Sequence, residues 1–187
     1  CDMHPGYPST RFAESLGLPV VRVQHHHAHV AACMAEAGLK GRVIGVAFDG
    51  TGYGDDAHTW GSEILVAGRA GYERVGHLSY MRMPGGDAAV RHPGRMALGI
   101  LFPLMGADAA KAVPNLPEAE RAAVIEMLER NVNCPLTSGM GRLFDAASAV
   151  LGICTRATYE GQPAIELEAA CDPNAKGCYP VELIERD

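Results

Sequence analysis

The sequence predicts a mixed α/β chain with an antiparallel sheet, and three observations carry that prediction. Apolar runs of strand length follow one another closely between positions 43 and 83, separated by a glycine-rich stretch and short breaks. From position 92 onward apolar residues recur at helical spacing. No strand–helix alternation repeats along the chain, which sets aside a βαβ barrel. With 187 residues, 48% of them apolar and 20% charged, the chain can bury a core without disulfides.

Taken in order, residues 8–16 read as a short helix, with Ser9 as N-cap after Pro8 and Gly17 and Pro19 closing it. Pro19–Val23 is a short β-branched run, read as a strand. His25–Ala37 reads as a helix ended by Gly38 and Gly41. Val43–Phe48 reads as a buried strand, Asp49–Asp56 as a glycine-rich turn, and Thr59–Ala67 and Tyr72–Met83 as two more strands, close enough in sequence to form an antiparallel meander. Pro84–Asp87 breaks the pattern. Helices follow at His92–Leu104, Glu118–Asn131, Leu143–Leu151 and Pro163–Cys171. In the second of these, Val124, Ile125 and Leu128 face inward and Glu126, Glu129 and Arg130 outward.

Sixteen Lys and Arg against 22 Asp and Glu give a net charge of -6. Without a basic run, that balance argues against broad nucleic-acid binding but leaves room for a small phosphate site. No apolar stretch approaches the ~20 residues of a membrane span, and no signal peptide is visible. The six cysteines, at 1, 33, 134, 154, 171 and 178, form no CxxC pair and read as free thiols in a reducing cytoplasm. Cys1-Asp2-Met3-His4-Pro5 reads like the end of a strand entering a loop, so the expectation is a piece of a longer protein.

The run Gln24-His25-His26-His27-Ala28-His29 is the most informative stretch. On a helix His25 and His29 share a face, and two imidazoles at that spacing can grip one cation. Imidazole suits Zn, Fe, Ni or Cu, so ligand type does not choose the ion. The alternative is a polar cluster without metal. A purification tag is set aside because the run is internal and interrupted by Ala28. A third ligand must come from elsewhere, and Asp49, at the end of a buried strand, is the best candidate, with Asp55 and Asp56 weaker. His4, His58, His77 and His92 show no comparable spacing, and Cys33 reads as a packed thiol.

Asp49-Gly50-Thr51-Gly52-Tyr53-Gly54-Asp55 follows a strand, and its glycines let backbone amides approach a phosphate. It is not a P-loop, lacking Gly-Lys-Ser/Thr, nor a Rossmann turn, since a strand follows. It is not an EF-hand, since Trp60 stands where Glu is required. A phosphate-binding β-hairpin and an ordinary glycine-rich hairpin both stay open.

Six stretches occur together in order: Cys1 to Thr10, Val23 to His29, Phe48 to Gly54, Arg91 to Leu98, Gly141 to Asp145, and Thr158 to Glu166. Together they resemble the C-terminal, Kae1-like region of the HypF family, the carbamoyltransferases of [NiFe] hydrogenase maturation. That region is similar to the Kae1/TsaD proteins of tRNA threonylcarbamoylation and to the antibiotic O-carbamoyltransferases. The likeness covers nearly the whole chain. It implies an actin/hexokinase-like (ASKHA) fold, here an incomplete fragment, with two related subdomains around a nucleotide and metal cleft. Residues 1–42 would end the first subdomain and 43–187 begin the second, stopping before a further glycine-rich segment.

The resemblance further implies that His25 and His29 bind a divalent metal, zinc or iron, with Asp49 joining them. It casts Gly50, Thr51, Gly52 and Gly54 as a phosphate loop, and Asp145 and Glu166 as ribose contacts with Gly161 nearby. From the residues alone, Asp145 is an acid in an Ala-rich helix, an unusual setting. Arg142 could reach a phosphate or pair with a carboxylate, and Arg91 and Arg95 could contact substrate or form surface ion pairs. The implied activity passes a carbamoyl group from carbamoyl-adenylate, made from ATP, to the C-terminal cysteine of a HypE-type partner. The rivals are an O-carbamoyltransferase acting on a small-molecule hydroxyl and a non-catalytic metal- or partner-binding piece.

Overall fold

The computed structural model describes residues 1–185. α1 (Pro8–Ser15) begins on Pro8, where a missing amide costs nothing. α2 (His25–Glu36) is capped by the Gln24 side chain, which accepts from the His27 amide at 2.9 Å. The strand expected at Pro19–Val23 does not form. Val21 and Val23 instead bond the backbone of Cys1 and Met3, in an isolated parallel bridge pairing Asp2 with Val23.

β1 (Val43–Tyr53), β2 (Thr59–Ala67) and β3 (Tyr72–His77) form the expected antiparallel meander. β1 runs on through most of the stretch expected to be a turn. Its register jumps from Phe48 opposite Ser62 to Gly52 opposite Trp60, so Asp49, Gly50 and Thr51 bulge opposite Gly61 alone. The expected strand Tyr72–Met83 is broken: β3 stays on β2, while β4 (Met81–Arg82) pairs with β5 (Leu136–Thr137). A chain that changes partner must leave the ladder between them. β5 in turn joins β2 in parallel at Thr59 and Thr137, tying the meander to the helical half.

That half comprises α3 (Asp87–Arg91), α4 (Pro93–Met105), a 3-10 turn over Gly106–Ala112, α5 (Glu118–Arg130), α6 (Met140–Val150) and α7 (Gln162–Ala170). α5 ends where Asn131 turns left-handed at φ 51°. Met96, Leu98, Val113, Val124, Leu128 and Ala146 form its core. A smaller core joins Val30 and Met34 of α2 to Leu65 and Ala67 of β2. α2 lies so close to the sheet that a Cβ on Gly45 would stand 2.5 Å from Val30. Of the six free cysteines, Cys33 is exposed rather than packed, because the buried stripe of α2 runs through His26, His27, Val30 and Met34. No described helix is long and apolar enough to cross a membrane.

Candidate metal and nucleotide site

The helical spacing of the histidines places them as expected. His25 Nε2 lies 3.2 Å from His29 Nε2 and 3.1 Å from Asp49 Oδ2, and His29 Nε2 lies 3.7 Å from the same oxygen. One ligand atom from each of the three residues falls within 4.8 Å of the others. The β1 bulge sets Asp49 there, with Oδ1 taken by the Gly50 amide at 2.6 Å and Oδ2 turned toward the imidazoles.

Asp2 decides what this cluster can hold. Its Oδ2 accepts from His25 Nδ1 at 2.7 Å, and its Oδ1 accepts from the His4 amide at 2.7 Å. Burial raises the Asp2 carboxyl, but its hydrogen bonds to His4 and His25 win, so the pKa falls and the group is ionised. A proton on His25 Nδ1 leaves Nε2 as a lone pair facing His29 and Asp49. With His29 presenting its own Nε2 lone pair, three acceptor atoms converge, an arrangement that suits a cation. Ligands bound at ~2.1 Å around a tetrahedral ion are about 3.4 Å apart, close to the spacing found. Asp2 was missed in the sequence because it lies 23 residues from His25 and meets it only through the bridge to Val23.

The neighbouring histidines do other work. His26 is fully buried and accepts from the Gln24 amide at Nδ1 (3.1 Å), which puts its proton on Nε2, 3.8 Å from Asp49 Oδ2. Burial holds its pKa down, so it is a neutral wall behind Asp49. His27 turns to the sheet, bonding the Gly68 carbonyl at 2.8 Å.

A cavity of about 550 Å³ opens from this cluster. Tyr7, His25, Asp49, Gly50 and Thr51 line one side; Met140 to Arg142, Asp145, Glu160 and Gly161 line the other. The two sides approach through bare backbone. A Cβ on Gly61 would stand 2.6 Å from the Asp49 carbonyl, one on Gly139 2.6 Å from the Gly50 carbonyl, and one on Gly141 2.9 Å from Gly50 Cα. The pairing of Gly139 and Gly141 with the bulge is the feature the sequence hid, since a glycine's close neighbour is not written beside it.

Of the expected nucleotide contacts, Gly50, Thr51, Asp145 and Gly161 line the cavity and three others do not. Gly52 packs under His26, where a Cβ would be 2.4 Å from Cε1, and Gly54 packs on Trp60. Glu166 accepts from Gln162 at 2.7 Å, away from the lining. Asp55 and Asp56 are not near the metal cluster; they bond Tyr72 and Tyr80, and Asp56 also accepts from Trp60 Nε1 at 2.8 Å. Arg95 pairs with Glu120 at 2.6 Å, and Arg91 is exposed.

Behind the bulge sits a buried network with no sequence signature. Glu63 Oε1 accepts from the amides of Gly61 and Ser62 and from Ser138 Oγ (3.0, 3.2 and 2.5 Å), and Oε2 accepts from Arg74 Nε at 2.6 Å. The Arg74 guanidinium lies 3.8 Å over the Trp60 ring. Burial raises the Glu63 carboxyl, but the bonds from Arg74, Ser138 and the two amides outweigh it and the pKa falls. Glu63 thus clamps β2 to Ser138, two residues before the helix that faces the cavity.

Asp145 behaves oppositely. Burial pushes its carboxyl up from 3.8 to about 6, against the pull of Arg142. A raised acid means the folded state holds a proton that the unfolded state releases, so this group's contribution falls as pH rises from about 4 through 6. Asp145→Asn is therefore expected to gain on the wild type by roughly 2–3 kcal/mol between pH 4 and pH 7. Denaturant melts of both proteins across that range check it; a constant difference would show that folding does not shift the Asp145 carboxyl.

The bulged meander, with His25, His29 and Asp49 gathered at the bulge and glycines opposing it at the start of α6, belongs to a Kae1-like domain. The chain belongs to the HypF family of Kae1-like carbamoyltransferase domains. The model described as "Carbamoyltransferase, Kae1-like Domain, second subdomain" matches residues 45–186, and that described as "HypF Kae1-like domain" matches residues 1–36. The chain is similar to the carbamoyltransferase HypF homolog of Cupriavidus necator, at 42% identity over 98% of this chain and 48% of that protein. It is similar to the carbamoyltransferase HypF of Synechocystis, at 38% identity over 100% of this chain and 27% of that one. Among solved structures it resembles full-length HypF in a phosphate- and nucleotide-bound form, with a TM-score of 0.91, 42% identity, and coverage of 99% of this chain and 29% of that one. T. kodakarensis HypF aligns with a TM-score of 0.85 at 35% identity, over 97% and 26%. The chain thus spans about half the length of the first relative and about a quarter of the others.

Proposed function

We propose that this chain carries a carbamoyl-transfer site of [NiFe] hydrogenase maturation, passing a carbamoyl group from carbamoyl-adenylate to the C-terminal cysteine of a HypE-type partner. The observation that carries this reading is that one cavity is lined both by His25 and Asp49 and by Gly50, Thr51, Asp145 and Gly161. A cation site and a nucleotide site then lie within reach of one adenylate. Family membership supports the reading, as does a relative solved with phosphate and nucleotide bound. In this reading residues 1–42 belong to one subdomain and 43–187 to the next, and the cavity falls between them.

His25, His29 and Asp49 would hold a divalent cation, zinc or iron by donor type. When bound, it would polarise the carbamoyl carbonyl and stabilise charge developing on its oxygen. Asp2 keeps the His25 lone pair aimed inward, and His26 excludes water behind Asp49. The amides at Thr51, Met140 and Gly141 take the phosphate side, where Gly50 leaves room, and Asp145 and Gly161 the ribose side. The partner's thiolate attacks the carbamoyl carbon. A C–S bond forms, the bond to the adenylate oxygen breaks, and AMP leaves as thiocarbamate is made. The nucleophile arrives from the partner, so no cysteine of this chain need line the cavity. Six free thiols suit a reducing cytoplasm.

The test supplies carbamoyl-adenylate, zinc or ferrous iron, and a peptide ending in cysteine, and follows S-carbamoyl peptide by mass spectrometry. Transfer to the peptide is expected. Transfer to a small-molecule hydroxyl instead would favour the O-carbamoyltransferase reading. Ligand binding without transfer would mark a non-catalytic piece.

A further inference from the structure

We infer that Arg142 is the residue that selects a phosphate-bearing ligand in this cavity, donating to a phosphoryl oxygen from Nη2, the guanidinium nitrogen that Asp145 leaves open; the inference rests on the nucleotide reading above. Arg142 stands in the first turn of α6 and is 6% exposed. A charge that deep requires a partner. Asp145, one turn on, offers Oδ2 at 2.7 Å from Nη1, but the contact is misaligned, and Nη1, Nε and Oδ2 are all without a hydrogen-bond partner among the described residues. A guanidinium carries five N–H donors in a planar fork and is best matched by the paired oxygens of a phosphate or carboxylate. Nη1 and Nε are themselves buried, so the donor left for a ligand at the cavity wall is Nη2, which makes no hydrogen bond among the described residues.

The surroundings are built to leave that side chain room. A Cβ on Gly50 would stand 3.0 Å from Arg142 Nη2, and one on Gly139 3.2 Å from its Cγ. Both neighbours are glycine, so the arginine lies flat between the β1 bulge and the start of α6. Met140 and Gly141, at the positive end of an 11-residue helix, line the same wall. Asp145 is an incomplete counter-ion, since its oxygen stands close to Nη1 without making a hydrogen bond to it. The pair is arranged so that a bound anion completes what the carboxylate only begins.

The test titrates AMP, adenosine and inorganic phosphate into the full 187-residue chain, comparing wild type with R142Q, R142K, D145N and D145N/R142Q. In the wild type AMP should bind more tightly than adenosine. R142Q should weaken AMP on the order of 10- to 100-fold and leave adenosine unchanged, with partial recovery in R142K. The same loss should appear between D145N and D145N/R142Q, a pair in which the buried charge is removed without leaving its partner, so it stays informative if R142Q alone fails to fold. If the effect of R142Q vanishes in the D145N background, Arg142 serves only to neutralise Asp145 and the inference is overturned. An AMP preference that survives both glutamine variants overturns it while leaving the nucleotide reading intact. If wild type binds neither AMP nor adenosine, the nucleotide reading fails and the inference falls with it.

Discussion

Replacing His25 and His29 together by alanine is expected to abolish tight binding of a divalent cation, lowering affinity by roughly three orders of magnitude or more. Two of the three converging donors are removed, and Asp49 alone is an ordinary half-exposed carboxylate. A graded effect should follow from Asp2→Asn. The first-sphere donors remain, but the amide no longer accepts as a charged group from His25 Nδ1, and affinity should fall roughly 10- to 100-fold. The measurement is elemental analysis of untagged protein, followed by zinc titration against a chromophoric chelator. Metal content unchanged in the double variant would refute the assignment of these residues.

Glu63→Ala should be the most destabilising single substitution behind the site. It strips four hydrogen bonds from one fully buried carboxylate and leaves the Arg74 charge, itself largely buried, without its partner. Breaking a buried pair on one side costs about 3–5 kcal/mol. At this chain length that lowers the melting temperature by roughly 6–20 °C. Because the Glu63 pKa is depressed, its stabilisation is present above its ordinary value of 4.5 and is lost as pH falls below it. The gap between wild type and Glu63→Gln should therefore narrow in acid. Calorimetric melts at pH 7 and pH 4 measure both effects; a drop of only a degree or two at pH 7 would mean that Arg74 finds compensation in Asp56 and Tyr80, 3.4 and 2.8 Å away.

Both predictions come from residues whose legibility in the sequence differs sharply. His25 and His29 could be paired because four residues along a helix is nearly one turn, a relation set by backbone geometry alone. Glu63 could not be singled out. In the sequence it is the one charged residue within a strand, and its partners are Ser138, 75 residues away, and Arg74 on the next strand. The expected strand over Tyr72–Met83 failed for the same reason: its loose apolar alternation runs on without a break, but β3 and β4 answer to different neighbours. The phosphate-loop reading of Gly50 to Gly54 mixed two roles that composition does not separate. Gly50 faces the cavity, whereas Gly52 and Gly54 make room for His26 and Trp60.

What the sequence by itself determined is therefore local: the helix bearing two histidines, the antiparallel meander, the amphipathic helices, and Asp49 at the end of an apolar run. These follow from periodicity and from chain segments a few residues apart, where few conformations compete. Only the tertiary structure decided which way the site's side chains point. The bulge that aims Asp49, the bridge that delivers Asp2 to His25, and the packing that sets Arg142 against Gly50 each join segments distant in the chain. Such contacts depend on how layers pack, and close packing is a property of the assembled molecule that no single stretch of residues encodes.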